Sequence, residues 1–253
     1  MNIIITGASS GIGLALKNHY ENLGHVVFDI SLDGQFPCDV SDEQAMKAVF
    51  EKLPCDKIDM VIANAGFGVS GAIELVDSKK IDNIFEVNVI GAANTIRCAL
   101  PKMQEGGKII FVASVLGLFP TPFRGYYCAT KSALISISDT LRMELAQSKI
   151  QVTAICPSEI KTNFSKNRVK VMETNERYGS RVGASMQHID DKENRRMPVE
   201  KATKIITSWI DRKRLKPLYI MTFKFKVLYF FKNILPKSWY LKICNRMFNK
   251  KES

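Results

Sequence analysis

A phenol and an ammonium stand four residues apart in Tyr127-Cys-Ala-Thr-Lys131, the spacing that puts two side chains on one helix face. The chemistry open to such a pair is acid–base. An unperturbed tyrosine has a pKa of about 10 and moves protons poorly at neutral pH, whereas a neighbouring cation favours its phenolate; bringing the pKa to about 7 takes roughly 4 kcal/mol. The same spacing is also common on solvated helix faces, so the pair alone decides nothing. Ser114 changes the reading. It follows Lys108–Ala113, an apolar run that reads as a strand, and ligands of open α/β sheets bind at such strand ends. Asn64-Ala65-Gly66 ends another apolar run in the same way, and Asn88 lies in Glu86-Val-Asn-Val-Ile-Gly91.

The second constellation is Thr6-Gly7-Ala-Ser9-Ser10-Gly11-Ile12-Gly13, between the strand-like Ile3-Ile4-Ile5 and a helical pattern of Ile12, Ala15, Leu16, Tyr20 and Leu23. Gly7 permits a tight turn, Gly11 lets backbone approach a pyrophosphate, and Gly13 lets helix close on sheet. The phosphates then rest on N–H groups at the helix start. Glycine-rich turns are frequent on surfaces; the strand before this one and the helix after it give it weight.

The elements that must hold these residues alternate along the chain. Val26–Phe28, Met60–Ala63 and Val152–Cys156 read as further strands. Ser41 with Gln44 forms a capping box ahead of a helix, Ile81 to about Leu100 is helical, and a long helix runs from about Tyr127 to Gln147. Nearly continuous apolar strands separated by helices predict an α/β fold, a doubly wound parallel sheet of Rossmann type with helices on both faces. From Lys161 to Arg196 the sequence turns polar and reads as a mobile excursion, ending where Pro198 opens a helix.

With 253 residues, 46% apolar and 24% charged, the chain suits one large core and excludes a disordered tail, a collagen-like chain or a small disulfide scaffold. No apolar run approaches the length of a spanning helix. Six scattered cysteines form no C-x-x-C pair, so neither a metal site nor a redox dithiol is expected. The N-terminus reads as strand and not as signal peptide, and the expected location is cytoplasmic.

The formal charge of +11 is local. Residues 212–253 hold twelve basic residues against Glu252 alone, and residues 219–248 hold nine of the 23 aromatics. This divides the chain into a dinucleotide-binding and catalytic domain, 1–211, and a basic amphipathic extension, 212–253, which Pro236 splits into two short helices. Two readings of the extension stand. It lies on an anionic membrane surface, peripheral at the inner face, or it packs on the domain as a lid or subunit contact. No recognition motif accompanies the charge, so nucleic acid is not an expected partner.

Thr6-Gly7-x-x-x-Gly11-x-Gly13, Asp39-Val40, Asn64-Ala65-Gly66, Asn88, Ser114, Tyr127-x-x-x-Lys131 and Pro157-Ser-Glu-Ile160-Lys-Thr162 stand in one order and spacing. Together they resemble the short-chain dehydrogenase/reductase superfamily in its single-domain form, over residues 2 to about 165 and more loosely 198–210. The resemblance implies an NAD(P)-dependent oxidoreductase that interconverts a secondary alcohol and a ketone, on an apolar substrate such as a steroid, bile acid or lipid-derived carbonyl. Tyr127 is then the general acid/base, and Lys131 lowers its pKa and binds the nicotinamide ribose. Ser114 polarises the carbonyl, and Asn88 holds a water that links Lys131 to solvent. Tyr126 has no lysine four residues on and is expected to pack. Gly7, Ser9, Ser10, Gly11, Ile12 and Gly13 take the phosphates. Asp39 and Val40 bracket the adenine, Asn64 to Gly66 the adenosine ribose, and Pro157, Ile160 and Thr162 the nicotinamide end. Ser158 stands where the family has glycine, and the stretch from Ile30 to Cys38 is too short for the usual helix and strand. Asp29 leads Ser31 and Asp33 for reading the adenosine 2′ position; a carboxylate there, with no Arg or Lys at Ser10 or in 31–34, favours NAD over NADP. A homo-oligomer through the helices of Asn88 and Tyr127 is also implied. The competing reading is a cofactor-binding regulator or sensor without turnover.

Overall fold

Seven parallel strands carry the site in a computed structural model that describes the chain except residues 163, 165, 166, 192–195 and 249–253. Parts of the polar 161–196 stretch, and Lys250 and Lys251 of the extension, therefore lie outside the described residues. The strands are β1 (Asn2–Thr6), β2 (Val26–Ser31), β3 (Phe36–Pro37), β4 (Ile58–Ala63), β6 (Met103–Val112), β7 (Gln151–Cys156) and β11 (Leu218–Ile220), in the order β11-β7-β6-β4-β1-β2-β3. Alternation builds two cores: Ile4, Val61 and Phe111 point to one face, and Ile3, Ile5, Ile62 and Ile110 to the other, all fully buried. Every expected strand forms. The order reverses at β1 and β4, and the loops after those strands meet there, where a doubly wound sheet opens its crevice.

Helices α1 (Gly11–Asn22) and α8 (Val199–Ile210) cover one face. On the other lie α2 (Glu43–Lys52), α3 (Ser78–Phe85), α4 (Gly91–Ala99), the short α5 (Val115–Leu118) and α6 (Gly125–Glu144). The span read as one helix from Ile81 is two, joined by a π-turn at Glu86–Ile90. The cap of α2 also differs: Asp42, not Ser41, accepts from the Ala45 N–H, because the Ser41 hydroxyl is held by Asp39. The short link after β2 contains the strand but no helix; β3 pairs with β2 directly, Ile30 opposite Phe36.

The polar excursion is partly built. Its pieces β8 (Ile160–Lys161), β9 (Val169–Lys170) and α7 (Arg181–Asp191) are anchored by pairing of β9 with β5 (Val69–Ser70) and of β8 with β10 (Met197–Pro198). Val182 and Met186 of α7 are buried with Ala72 and Phe123, so this segment roofs the strand ends.

The extension is no appendage. Its first part, β11, completes the sheet against β7, Tyr219 opposite Ile155. Then come α9 (Phe223–Lys232) and α10 (Lys237–Phe248), divided at Pro236. Phe225 stacks on the fully buried Phe119 at 5.5 Å, and Lys232 Nζ and the Tyr240 hydroxyl both donate to the Leu118 carbonyl at 2.9 Å. The packing reading thus holds for one side of these helices. The other side leaves Phe223, Phe230, Ile234 and Trp239 more than half exposed. No helix among the described residues is long and apolar enough to cross a membrane.

Candidate active site

The turn after β1 is held shut by backbone contact. Gly7 has φ +66°, and a Cβ on Gly13 would stand 2.2 Å from the Gly7 carbonyl oxygen. Thr6 Oγ1 accepts from the Asn64 and Ala65 N–H groups at 3.1 and 3.2 Å, and Asn64 Nδ2 donates to the Thr6 and Gly7 carbonyls at 3.0 and 2.9 Å. Asn64, assigned by resemblance to the ribose, therefore uses its amide to pin the glycine turn. Ser10 precedes α1 with extended backbone and gives no side-chain cap, which leaves first-turn N–H groups without a helical partner.

Across the crevice, β6 delivers Ser114. Its Oγ accepts from the Leu116 N–H at 3.1 Å and caps α5, while the Val115 N–H reaches the Pro157 carbonyl at 3.0 Å. Helix α6 delivers Tyr127 and Lys131, both buried. Lys131 Nζ donates to the Val112 carbonyl at 2.9 Å and lies 5.9 Å from the centre of the Tyr127 ring. Asn88, in the π-turn, is fully buried. Its Oδ1 accepts from the Phe67 N–H at 2.9 Å and its Nδ2 donates to the Phe67 carbonyl and to Thr130 Oγ1. The amide so clamps the Gly66–Phe67 wall beside Lys131. Unusual turns of this kind recur at functional sites. Tyr126 points elsewhere, its hydroxyl donating to the Ile73 carbonyl at 3.0 Å.

The electrostatics differ from the simple pair. Burial pushes the Tyr127 phenol up to about 12, against a hydrogen bond from Ser114 and the positive charge of Arg124, which pull it down. Lys131 is engaged elsewhere in this state. Its ammonium is given to a backbone carbonyl, and burial lowers its own pKa to about 8. Without cofactor, two buried groups therefore each resist the charged form.

One cavity of about 330 Å³ joins these groups. Gly7, Ser10, Gly11, Ile12, Asn64, Ala65, Gly66, Ser114, Tyr127, Lys131, Pro157, Ile160 and Thr162 line it. Ser9, Gly13, Asp29, Asp39, Val40 and Asn88 do not. Asp39 holds the Ser41 turn at the surface, and Val40 packs under Gly91. Asp29 is buried and engaged, by the Ser31 hydroxyl and by an ion pair with Lys17 at 3.2 Å. Ser31 in turn accepts from the Ala8 N–H of the glycine turn, which ties Asp29 to that turn. The sequence does not mark Phe67, Ser70, Arg124, Phe164, Arg168 and Phe225, which line the same cavity. For Phe225 the aromatic density of the extension was a signal; for the arginines none stood out.

The wall fits a dinucleotide. The glycine cradle has no space for side chains, the start of α1 is uncapped, and the cavity runs unbroken from Gly11 to Tyr127.

Residues 34–173 match the family model described as short chain dehydrogenase. The chain is 30% identical over 257 aligned positions to a probable short-chain type dehydrogenase/reductase, VdlC, of Helicobacter pylori, covering 94% of each. It is 29% identical to 3-ketodihydrosphingosine reductase of Bacteroides thetaiotaomicron, covering 76% of each. A short-chain dehydrogenase structure from Streptomyces avermitilis superposes with a TM-score of 0.81 at 25% identity, over 96% of this chain and 95% of that one. A glycine turn, a strand-end serine and a Tyr-x-x-x-Lys helix around one crevice, with these likenesses along nearly the whole length, place the chain in the short-chain dehydrogenase family of oxidoreductases.

Proposed function

We propose that the chain interconverts a secondary alcohol and a ketone with a nicotinamide cofactor, on a substrate with a largely apolar body. The observation that carries this is the meeting of Ser114, Tyr127 and Lys131 in the cavity that the glycine turn opens. When bound, the nicotinamide supplies or accepts the hydride. In ketone reduction, Ser114 donates a hydrogen bond to the carbonyl oxygen and Tyr127 delivers the proton as that oxygen gains charge. Lys131 holds the cofactor ribose and replaces positive charge near the phenolate left behind. Asn88 keeps the Gly66–Phe67 wall in register with Lys131. Phe67, Phe164 and Phe225 supply apolar surface for the substrate; Phe164 lies 5.7 Å from the Tyr127 ring. NAD is the favoured cofactor, since residues 31–34 hold no cation and the charge of nearby Lys17 is taken by Asp29. Titration with NADH and NADPH, followed by a panel of ketones and alcohols, tests the reading; tight cofactor binding without turnover of any class would instead favour the regulator.

The role of Lys131 carries a pH dependence. A lysine lowered to about 8 is charged below that pH and loses its proton as pH rises through it. Cofactor affinity, measured by fluorescence titration, is therefore expected to weaken above about pH 8, and Lys131→Met to lose that dependence. Affinity that is flat from neutrality to pH 9.5 (about 1.5 units beyond the transition) speaks against it.

The membrane-surface reading of the extension also stays in the proposal, supported by Phe230, Ile234 and Trp239 exposed among lysines with no acid between Arg212 and Phe248. Removing residues 212–253 is no test, because it takes a sheet strand and Phe225 with it. Serine at Phe230 and Trp239 together is expected to lower co-sedimentation with anionic vesicles several-fold at low salt, as burial of two aromatics is lost. Equal sedimentation of variant and wild type excludes this surface. Exposed Ile90 on the π-turn and Met143 on α6 support subunit pairing across those helices.

A further inference from the structure

Among the described residues, buried side-chain polar atoms without a hydrogen-bond partner are few: Ser70 Oγ, Ser138 Oγ, Arg124 Nε and Arg168 Nε. Ser70, Arg124 and Arg168 all line the cavity of Tyr127. Arg124 is the residue before α6, three positions ahead of the tyrosine, and its guanidinium has no ion-pair partner among the described residues. Arg168 flanks β9, with its Cγ 3.4 Å from where a Gly68 Cβ would stand. One of its nitrogens lies 3.4 Å from Asp190, but that carboxylate also binds Lys170 at 2.6 Å. Arg196 adds positive charge to the same region.

Burying a guanidinium without an anion is costly, and proteins normally pair it. Burial and the neighbouring arginines lower the pKa of Arg124 to about 10, so it stays charged at neutral pH. The planar fork suits an oxyanion approached from the cavity. The glycine turn that would take cofactor phosphates runs from Gly7 to Gly13, whereas these donors sit by the reacting tyrosine and the phenylalanines: Arg124 three residues ahead of Tyr127, and Arg168 beside Gly68, where Phe164 also packs. The charge therefore faces the substrate.

We propose that the substrate carries an anionic group, a carboxylate or a phosphate, which docks on Arg124, Arg168 and Ser70 while its apolar body lies along the phenylalanines. This rests on the alcohol–ketone reading and narrows its substrate class to acids with an apolar chain.

The test begins with binding, which needs no turnover. Thermal-shift titrations of the NADH-loaded protein with octanoate and decanoate, each against its own amide, and with decyl phosphate, compare charge at constant shape. One lost charged hydrogen bond costs about tenfold or more, so a carboxylate or phosphate is expected to bind about 10–100-fold more tightly than the amide. Which acid wins identifies the oxyanion. Arg124→Gln is expected to bring the acid-to-amide ratio near one; Arg168→Gln serves the same comparison should the first variant fold poorly. A straight-chain oxo acid and its oxo amide then give the ratio in kcat/KM, with the difference in KM. Acid and amide binding alike in the wild type, or a ratio unchanged by both variants, overturns the inference. Equal turnover of neutral and acidic ketones overturns it while the oxidoreductase reading survives. No turnover of any ketone removes the oxidoreductase reading, and the binding ratio still decides whether the arginines hold an anion.

Discussion

Tyr127→Phe is expected to lower kcat/KM for ketone reduction by about 10²–10⁴-fold, the usual contribution of a positioned general acid, and to leave cofactor affinity within about twofold. The substitution removes one oxygen from a buried ring and opens no cavity, and the Ser114 hydroxyl keeps its bond from the Leu116 N–H. Its effect therefore falls on the proton. The sign follows from burial: with the phenol pushed up to about 12, the group holds its proton throughout the neutral range in the cofactor-free chain. Ketone reduction starts from the correct form, whereas alcohol oxidation must first remove the proton. In the wild type, oxidation is thus expected to gain with rising pH more than reduction does. Steady-state assays in both directions on the two proteins decide it. A phenylalanine variant as active as the wild type removes Tyr127 from the chemistry, and a variant that no longer binds cofactor makes the residue structural.

Much of this site was legible because its pieces are local. The glycine turn, the strand-end serine and the Tyr-x-x-x-Lys spacing each lie within one turn or one helical repeat, where chain geometry dictates which groups meet. Strand alternation was equally readable: Ile3, Ile4 and Ile5 face two cores because β residues alternate. What stayed hidden depends on distant partners. The Tyr240 hydroxyl meets the Leu118 carbonyl across 122 residues, and contacts of this kind, with Phe119 on Phe225 and β11 on β7, seat a basic aromatic tail against the domain. The partner of Asp29, Lys17, sits on the preceding helix, α1, where no pattern marks it. The Asn64 amide holds the glycine turn across 57 residues, a partnership that spacing does not show. Arg124 stands three residues from the tyrosine, but sequence does not show that a charge is buried without an anion. Ser41 and Asp42 both make sound helix caps, and the choice fell to Asp39, which takes the serine's hydroxyl. Local geometry names the reacting groups; what they react with is set by tertiary packing.

Gly13→Ala is expected to weaken cofactor binding by about 10–100-fold, and Gly13→Val to abolish it, with Tyr127 and Ser114 untouched. The smallest side chain already puts Cβ 2.2 Å from the Gly7 carbonyl oxygen and 2.6 Å from Asn64 Nδ2, distances that real contacts do not reach. The two neighbours cannot yield separately, because Asn64 Nδ2 is itself bonded to the Thr6 and Gly7 carbonyls. Relief must come from moving α1 outward or flattening the turn, and either displaces the first-turn N–H groups from the phosphate position. Overpacking of this kind costs about 1–3 kcal/mol, equivalent to roughly 5–150-fold in affinity. Isothermal titration with NADH, beside a urea melt, separates the local effect from global loss: the turn shifts while both cores stay intact, so the unfolding midpoint is expected to fall less than the affinity does. The pair of variants then dissociates the two halves of the site. The tyrosine variant binds cofactor and does not turn over, whereas the alanine variant, driven to saturation with excess cofactor, recovers most of its rate because its proton donor is intact. Wild-type affinity in Gly13→Ala would show that the glycine turn does not hold the dinucleotide, and the crevice would then have to bind it elsewhere.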